Sequence, residues 1–370
     1  MNKEKNLRKN MPRLMIGDLV AEIPIVQGGM GVGISLSSLA CAVAKEGGIG
    51  VISVVGTGIS EPDFYSNPLE ANIRTLRSEI RKAKELTKGI VGVNIMVALS
   101  NYEDMVRVSV EEGIDIIFSG AGLPLNLPKY IGENSKTKIV PIVSSARAAK
   151  IITKRWIDKY NYIPDAIVVE GPMAGGHLGF SKEQIFDPDY SLERIVPEVI
   201  EEVKNYEVKY SKKIPVIAGG GIYSGQDIYK FISMGAAGVQ MATRFVATYE
   251  CDASMDFKQA YIDCKEEDLV IIKSPVGLPG RAIRNKFIND VEEDLKQPIK
   301  CPYKCILTCD YQKSPYCIAV ALMNAKKGNL SNGFVFAGQN AYKIHDIVSV
   351  ENLIKSLKSE YETVLRLTNS

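Results

Sequence analysis

The chain has 370 residues, 46% of them hydrophobic and 24% charged, enough for one large domain or two ordinary ones with a substantial core. Lys and Arg total 45 against 43 Asp and Glu, so a net charge of +2 supplies no concentrated basic face and argues against nucleic-acid binding. No run reaches the roughly 18 apolar residues that a membrane span requires. The basic start MNKEKNLRKNMPRL lacks the apolar core and cleavage site of a signal peptide. With no such signal, seven cysteines do not suggest a disulfide framework, and the expectation is a cytoplasmic protein.

Short apolar runs then recur along the chain at IPIVQ (23–27), GVISV (50–54), IVGVN (90–94), DIIFS (115–119), IVPIV (139–143), DAIVV (165–169), IPVIA (214–218) and GVQMA (238–242). They are rich in Val and Ile with little polar alternation, as expected of parallel strands covered on both faces. Helix-like stretches lie between them, such as SLSSLACAVAKEGG, NPLEANIRTLRSEIRKAKELTKG, NYEDMVRVSVEEG, ARAAKIITKRWIDKY and SGQDIYKFISMGA. Asn67 and Pro68 supply an N-cap followed by proline at the first helical position. Eight strand–helix units in about 250 residues match an α/β fold of TIM (β/α)8 barrel type. A doubly wound open sheet is the competing architecture. The expected division is a barrel over 1–253 and a smaller, largely helical cap or lid with closing helices over 254–370.

Glycines gather where these strands end: QGGMGVG (27–33), GTG (56–58), SGAG (119–122), EGPMAGGH (170–177) and GGGI (219–222). Asn94, Ser144–Ser145 and ATR (242–244) mark the remaining strand ends. In a barrel those loops build the active site, and the loops after strands seven and eight commonly hold a phosphate on backbone N–H groups. Gly219 to Gly221 with Ala242 and Thr243 occupy that position. Glycines also serve simply to make tight turns, but five such loops on one rim favour a bound ligand. A Rossmann fingerprint is disfavoured, because Gly29, Gly31 and Gly33 alternate and Ile34 follows, and no Walker A loop occurs. One of only two histidines, His177, lies in the glycine-rich stretch 170–180. Its ordinary pKa near 6.5 suits proton transfer or anion positioning, whereas His345 in NAYKIHDI reads as structural.

The ordered motifs PIVQGGMG, GVNIM, SGAGLP, EGPMAGGHLG, IPVIAGGGI and GVQMATRFV cover about 20–250, and VFAGQNAY (335–342) extends the pattern. Together they resemble the FMN-dependent nitronate monooxygenase family, formerly the 2-nitropropane dioxygenases, whose sister is the flavin-dependent enoyl-acyl-carrier-protein reductase. The resemblance implies FMN as cofactor. The backbone of Gly28, Gly29 and Met30 would line the isoalloxazine ring, and Asn94 would hydrogen-bond it. Glu170 and Gly175 would lie along the ring and ribityl chain. Gly220, Gly221, Gln240, Met241, Ala242 and Thr243 would cradle the phosphate, and His177 would be the active-site histidine. The implied reaction oxidises a nitronate with O2 to a carbonyl compound and nitrite. The alternative is reduction of an enoyl thioester or quinone by NAD(P)H. The sequence departs from the family at Glu170, where many members carry Gln, and at the MAT that precedes Arg244.

Cys301, Cys305, Cys309 and Cys317 are spaced by four, four and eight, which on a helix would align the first three. The spacing C-x3-C-x3-C departs from the usual C-x2-C of metal sites, so buried or free thiols are expected rather than a metal.

Overall fold

The computed structural model describes residues 10–132, 134–296, 301 and 303–369. Most of the basic start read above, residues 1–9, lies outside the described residues. The eight expected strands form one parallel sheet: Ile25–Gln27, Gly50–Ser53, Val91–Met96, Ile116–Gly120, Lys138–Val143, Ile167–Glu170, Val216–Gly219 and Gly238–Met241. Each pairs with its sequence neighbour, and the eighth returns to the first through Val239↔Ile25, Gln240↔Val26 and Met241↔Gln27. A bridge between Val26 and Ile49 joins the first strand to the second, with Gln27 N–H donating to Ile49 O at 2.9 Å. The sheet is therefore a TIM barrel and not an open doubly wound sheet.

The apolar runs are continuous because the strands are buried on both faces. Val26, Val51, Phe118, Val140, Val168 and Ile217 fill the interior. The hairpin Leu14–Ile16 and Leu19–Ala21 adds Leu14, Ile16 and Ala21 to the same cluster and plugs one end. Residues of opposite parity, such as Ile25, Ile52, Val93 and Ile167, join the layer beneath the helices. Pro68 does begin the second helix, Pro68–Leu86, although the Asn67 side chain makes no capping bond.

The eighth strand leads into a helix of only four residues, Thr243–Val246. The chain then leaves to build the cap, and the last helix, Val350–Asn369, packs against the helices Gly225–Ser233 and Ser37–Lys45 where an eighth barrel helix belongs. Gly225 permits this approach, since a Cβ there would lie 2.3 Å from Leu357 O. The cap holds the expected helices, including Met255–Ile262, Lys286–Glu292 and Ile318–Lys326. It also holds an antiparallel sheet that the sequence reading did not foresee: Leu269–Lys273 pairs with Pro279–Ile283, which pairs with Val335–Phe336 and with Gly176–His177. The turn-rich SPVGLPG is the turn of this hairpin, with Gly277 at φ +87° and Ser274 N–H donating to Leu278 O. Residues 303–316 form no helix, so the cysteine spacing is not a helical stripe. Among the described residues no helix is long and apolar enough to cross a membrane.

Candidate active site

A cavity of about 710 Å³ opens at the carboxyl ends of the barrel strands, beneath the cap. The residues that the family resemblance assigned to the cofactor or to catalysis line it: Gly28, Gly29, Met30, Asn94, Glu170, Gly175, His177, Gly220, Gly221, Gln240, Met241, Ala242 and Thr243, whereas Gly219 does not. Backbone approach explains two of the glycines. A Cβ on Gly29 would lie 2.4 Å from the Asn94 Cβ, so only glycine lets the first loop pass over the third strand. Gly220 has φ +97°, and a Cβ there would sit 2.9 Å from Gly171 O. Gly220, Gly221, Ala242 and Thr243 thus bring two strand ends together at the start of the short helix Thr243–Val246.

Three polar side chains enter this glycine-lined rim without a protein partner. Asn94, Glu170 and Gln240 form no side-chain hydrogen bond among the described residues, although all three line the cavity. Such groups need partners from a ligand or from water. Burial alone raises Glu170 to about 7, so its carboxyl is protonated over the acidic half of the physiological range.

His177 is placed by the cap. Its strand Gly176–His177 pairs with Gly280 and Arg281, and Leu178 N–H donates to Pro279 O at 2.9 Å. The ring meets Phe336 edge-on at 5.0 Å between centroids, and Nε2 lies 2.7 Å from Ser274 Oγ. The Ser274 hydroxyl also accepts from Val276 N–H, which leaves its own proton free for the imidazole. Burial lowers His177 to about 4, so the ring is neutral at physiological pH. It can exchange hydrogen bonds with a bound substrate but cannot anchor an anion as a cation. Removing the hydroxyl with Ser274→Ala is expected to release the ring and lower kcat/KM about fivefold, the equivalent of one hydrogen bond of ~1 kcal/mol. Steady-state kinetics with unchanged thermal stability would check this.

Sequence reading missed the cap's contribution to this geometry. Arg281, buried, donates to Pro172 O at 2.7 Å and Ala174 O at 2.6 Å, which fixes the loop that joins Glu170 to His177. Gly175 lets that loop touch the cap, since a Cβ there would lie 2.6 Å from Ala337 C. Gly338 passes equally close to Thr243, and Asn340 Nδ2 donates to Gly221 O at 2.6 Å. VFAGQNAY signalled this segment, but nothing local to residues 274 or 281 does. Ser145 accepts from Ala148 N–H as a helix cap, and His345 is exposed and away from the cavity.

A family model described as nitronate monooxygenase matches residues 13–360. A probable nitronate monooxygenase of Staphylococcus aureus (strain Newman) is 29% identical over 311 residues, which cover 74% of this chain and 79% of the relative. The solved structure of FabK from Thermotoga maritima is also 29% identical, with a TM-score of 0.71 over 94% of this chain and 96% of that one. A nitroalkane oxidase from Streptomyces ansochromogenes matches with the same TM-score at 22% identity, covering 94% and 98%, a likeness of fold.

Proposed function

Because the chain belongs to the nitronate monooxygenase family and is an oxidoreductase, we propose that it oxidises alkyl nitronates with O2 to carbonyl compounds and nitrite, using FMN. The observation that carries this reading is the convergence of partnerless Asn94, Glu170 and Gln240 with neutral His177 on one glycine-lined cavity. The donor set fits a flavin. Backbone at Gly28, Gly29 and Met30 would line the ring, and the Asn94 amide would bond its heteroatoms. Gly175 and Glu170 would follow the ribityl chain. Gly220, Gly221 and Gln240 to Thr243 would hold the terminal phosphate on main-chain amides without a lysine. Bound there, the flavin supplies the electron transfer that no side chain can perform.

The chain's own residues position the substrate. A nitronate already has carbanion character, so no strong base is required. Neutral His177, steadied by Ser274, would donate a hydrogen bond to a nitronate oxygen or hold a proton for the product. Phe64, Leu69, Ile306 and Leu322 make the outer part of the cavity apolar, which suits an alkyl chain and excludes water.

Glu170 gives the site a pH dependence. Below about pH 7 it is neutral and tolerates an anionic substrate; above that it ionises and repels one. The expected result is a kcat/KM for nitronate that falls as pH rises through about 7, with the inflection abolished in Glu170→Gln. A pH–rate profile unchanged by that substitution would remove Glu170 from the account.

A second reading, reduction of an enoyl thioester by NAD(P)H, rests on the motif resemblance to the flavin-dependent enoyl-acyl-carrier-protein reductase. Anaerobic stopped-flow separates the two. Fast loss of flavin absorbance on mixing with nitronate, then nitrite formation when O2 is admitted, supports oxidation. Fast loss with NADH and none with nitronate rejects it in favour of the reductase.

A further inference from the structure

The cavity does not account for the cysteines of the cap. Seven cysteines divide into two groups by what their sulfurs do. Cys41, Cys251 and Cys264 are buried and donate S–H to the carbonyls of Ala83, Ile34 and Lys265, the behaviour of ordinary core thiols. Cys301, Cys305, Cys309 and Cys317 are half-buried in one region, and every pair among them lies within electrostatic reach. Here donors point toward sulfur. Lys304 N–H donates to Cys301 Sγ at 3.3 Å. Cys317 is the N-cap of the helix Ile318–Lys326, its sulfur near the amides of Ala319 and Val320 but making no capping bond. An amide directed at sulfur gives a metal-bound thiolate a hydrogen-bond donor.

The backbone is shaped to the same end. Lys304 has φ +46°, a left-handed conformation that costs a non-glycine residue on the order of 1 kcal/mol, and the turn it makes delivers its N–H to Cys301. The loop is then pinned to the barrel rim. Ile306 bridges to Leu99, Ser100 N–H donates to Cys305 O at 3.0 Å, and Leu307 N–H donates to Ala98 O at 2.9 Å.

We propose that Cys301, Cys305, Cys309 and Cys317 bind a four-iron, four-sulfide cluster in the cap, beside the mouth of the cavity that Cys305 lines. A single ion fits poorly here, because among the described residues no three His, Cys, Asp or Glu side chains are arranged to hold one. A cubane cluster gives each thiolate its own iron and so takes a wider spacing than four ligands on one zinc. The inference does not depend on which substrate the flavin site takes.

The full chain purified without oxygen tests it. Chemical analysis is expected to find about four iron and about four acid-labile sulfide per chain, and dithionite reduction should produce a low-temperature paramagnetic signal distinct from that of a flavin radical. Cys309→Ser should lower iron and sulfide together, while Cys264→Ser keeps both. Stoichiometric zinc would overturn the proposal, as would protein that takes up neither iron nor sulfide on anaerobic reconstitution with ferrous iron and sulfide. If Cys309→Ser does not fold, the iron and sulfide content of the unaltered chain decides the matter alone.

Discussion

Replacing His177 with alanine is expected to lower turnover by about 10²- to 10⁴-fold, the usual range for a positioned proton-transfer group, and to leave the flavin bound. The flavin would be retained because its contacts are assigned to other loops, and the strand pairing of His177 with Gly280 uses only backbone. Ser274 keeps its bond from Val276 N–H, so the hairpin also survives. What disappears is the one imidazole in the cavity, held neutral by burial and aimed by a 2.7 Å bond from the cap. Flavin content measured beside kcat checks the result. Loss of flavin together with activity would make His177 a structural residue, and unchanged turnover would remove it from the chemistry.

Arg281→Met is expected to destabilise the fold by about 3 kcal/mol and to reduce activity by more than stability alone explains. The guanidinium donates to two carbonyls, Pro172 O and Ala174 O, and each becomes a buried acceptor without a donor once it is gone, at ~1–3 kcal/mol apiece. Part of that loss is offset because a buried cation is itself unfavourable; burial lowers Arg281 to about 10. Methionine fills the space of the stem, so the effect reports the hydrogen bonds and not a cavity. The loop 170–177 would loosen with its carbonyls, and Glu170 and His177 with it. Both bonds leave one nitrogen, Nη1, so a lysine ammonium should restore part of the stability, limited by its shorter reach. Urea denaturation with an unchanged slope, alongside steady-state kinetics, checks both halves. Full stability in Arg281→Met would show that water satisfies the two carbonyls.

All eight barrel strands were legible in the sequence because each is buried on both faces, which leaves an unbroken Val and Ile run bounded by glycine. IVPIV and IPVIA allow few other readings. The glycine loops were legible for a related reason: positions such as Gly29 and Gly220 admit no side chain, so chain geometry is written directly into residue type. A barrel then brings consecutive loops to one rim, which is why residues as far apart as Gly28 and Thr243 share a cavity.

Only the tertiary structure decided what the cap does. Its sheet forms by pairing 269–273 with 279–283, and then with two-residue segments at 176–177 and 335–336, too short to leave a periodic pattern. Ser274 and Arg281 gain their roles from contacts about a hundred residues distant, where local composition carries no information. The protonation states were likewise out of reach. Residue type gives His177 an ordinary value near 6.5 and Glu170 one near 4.5, and desolvation, a property of the enclosing fold, moves the first down and the second up. The cysteines show the same divide. Their spacing named the residues, and the direction of the amides around them, set by an unusual turn at Lys304, distinguishes this group from the thiols of the core.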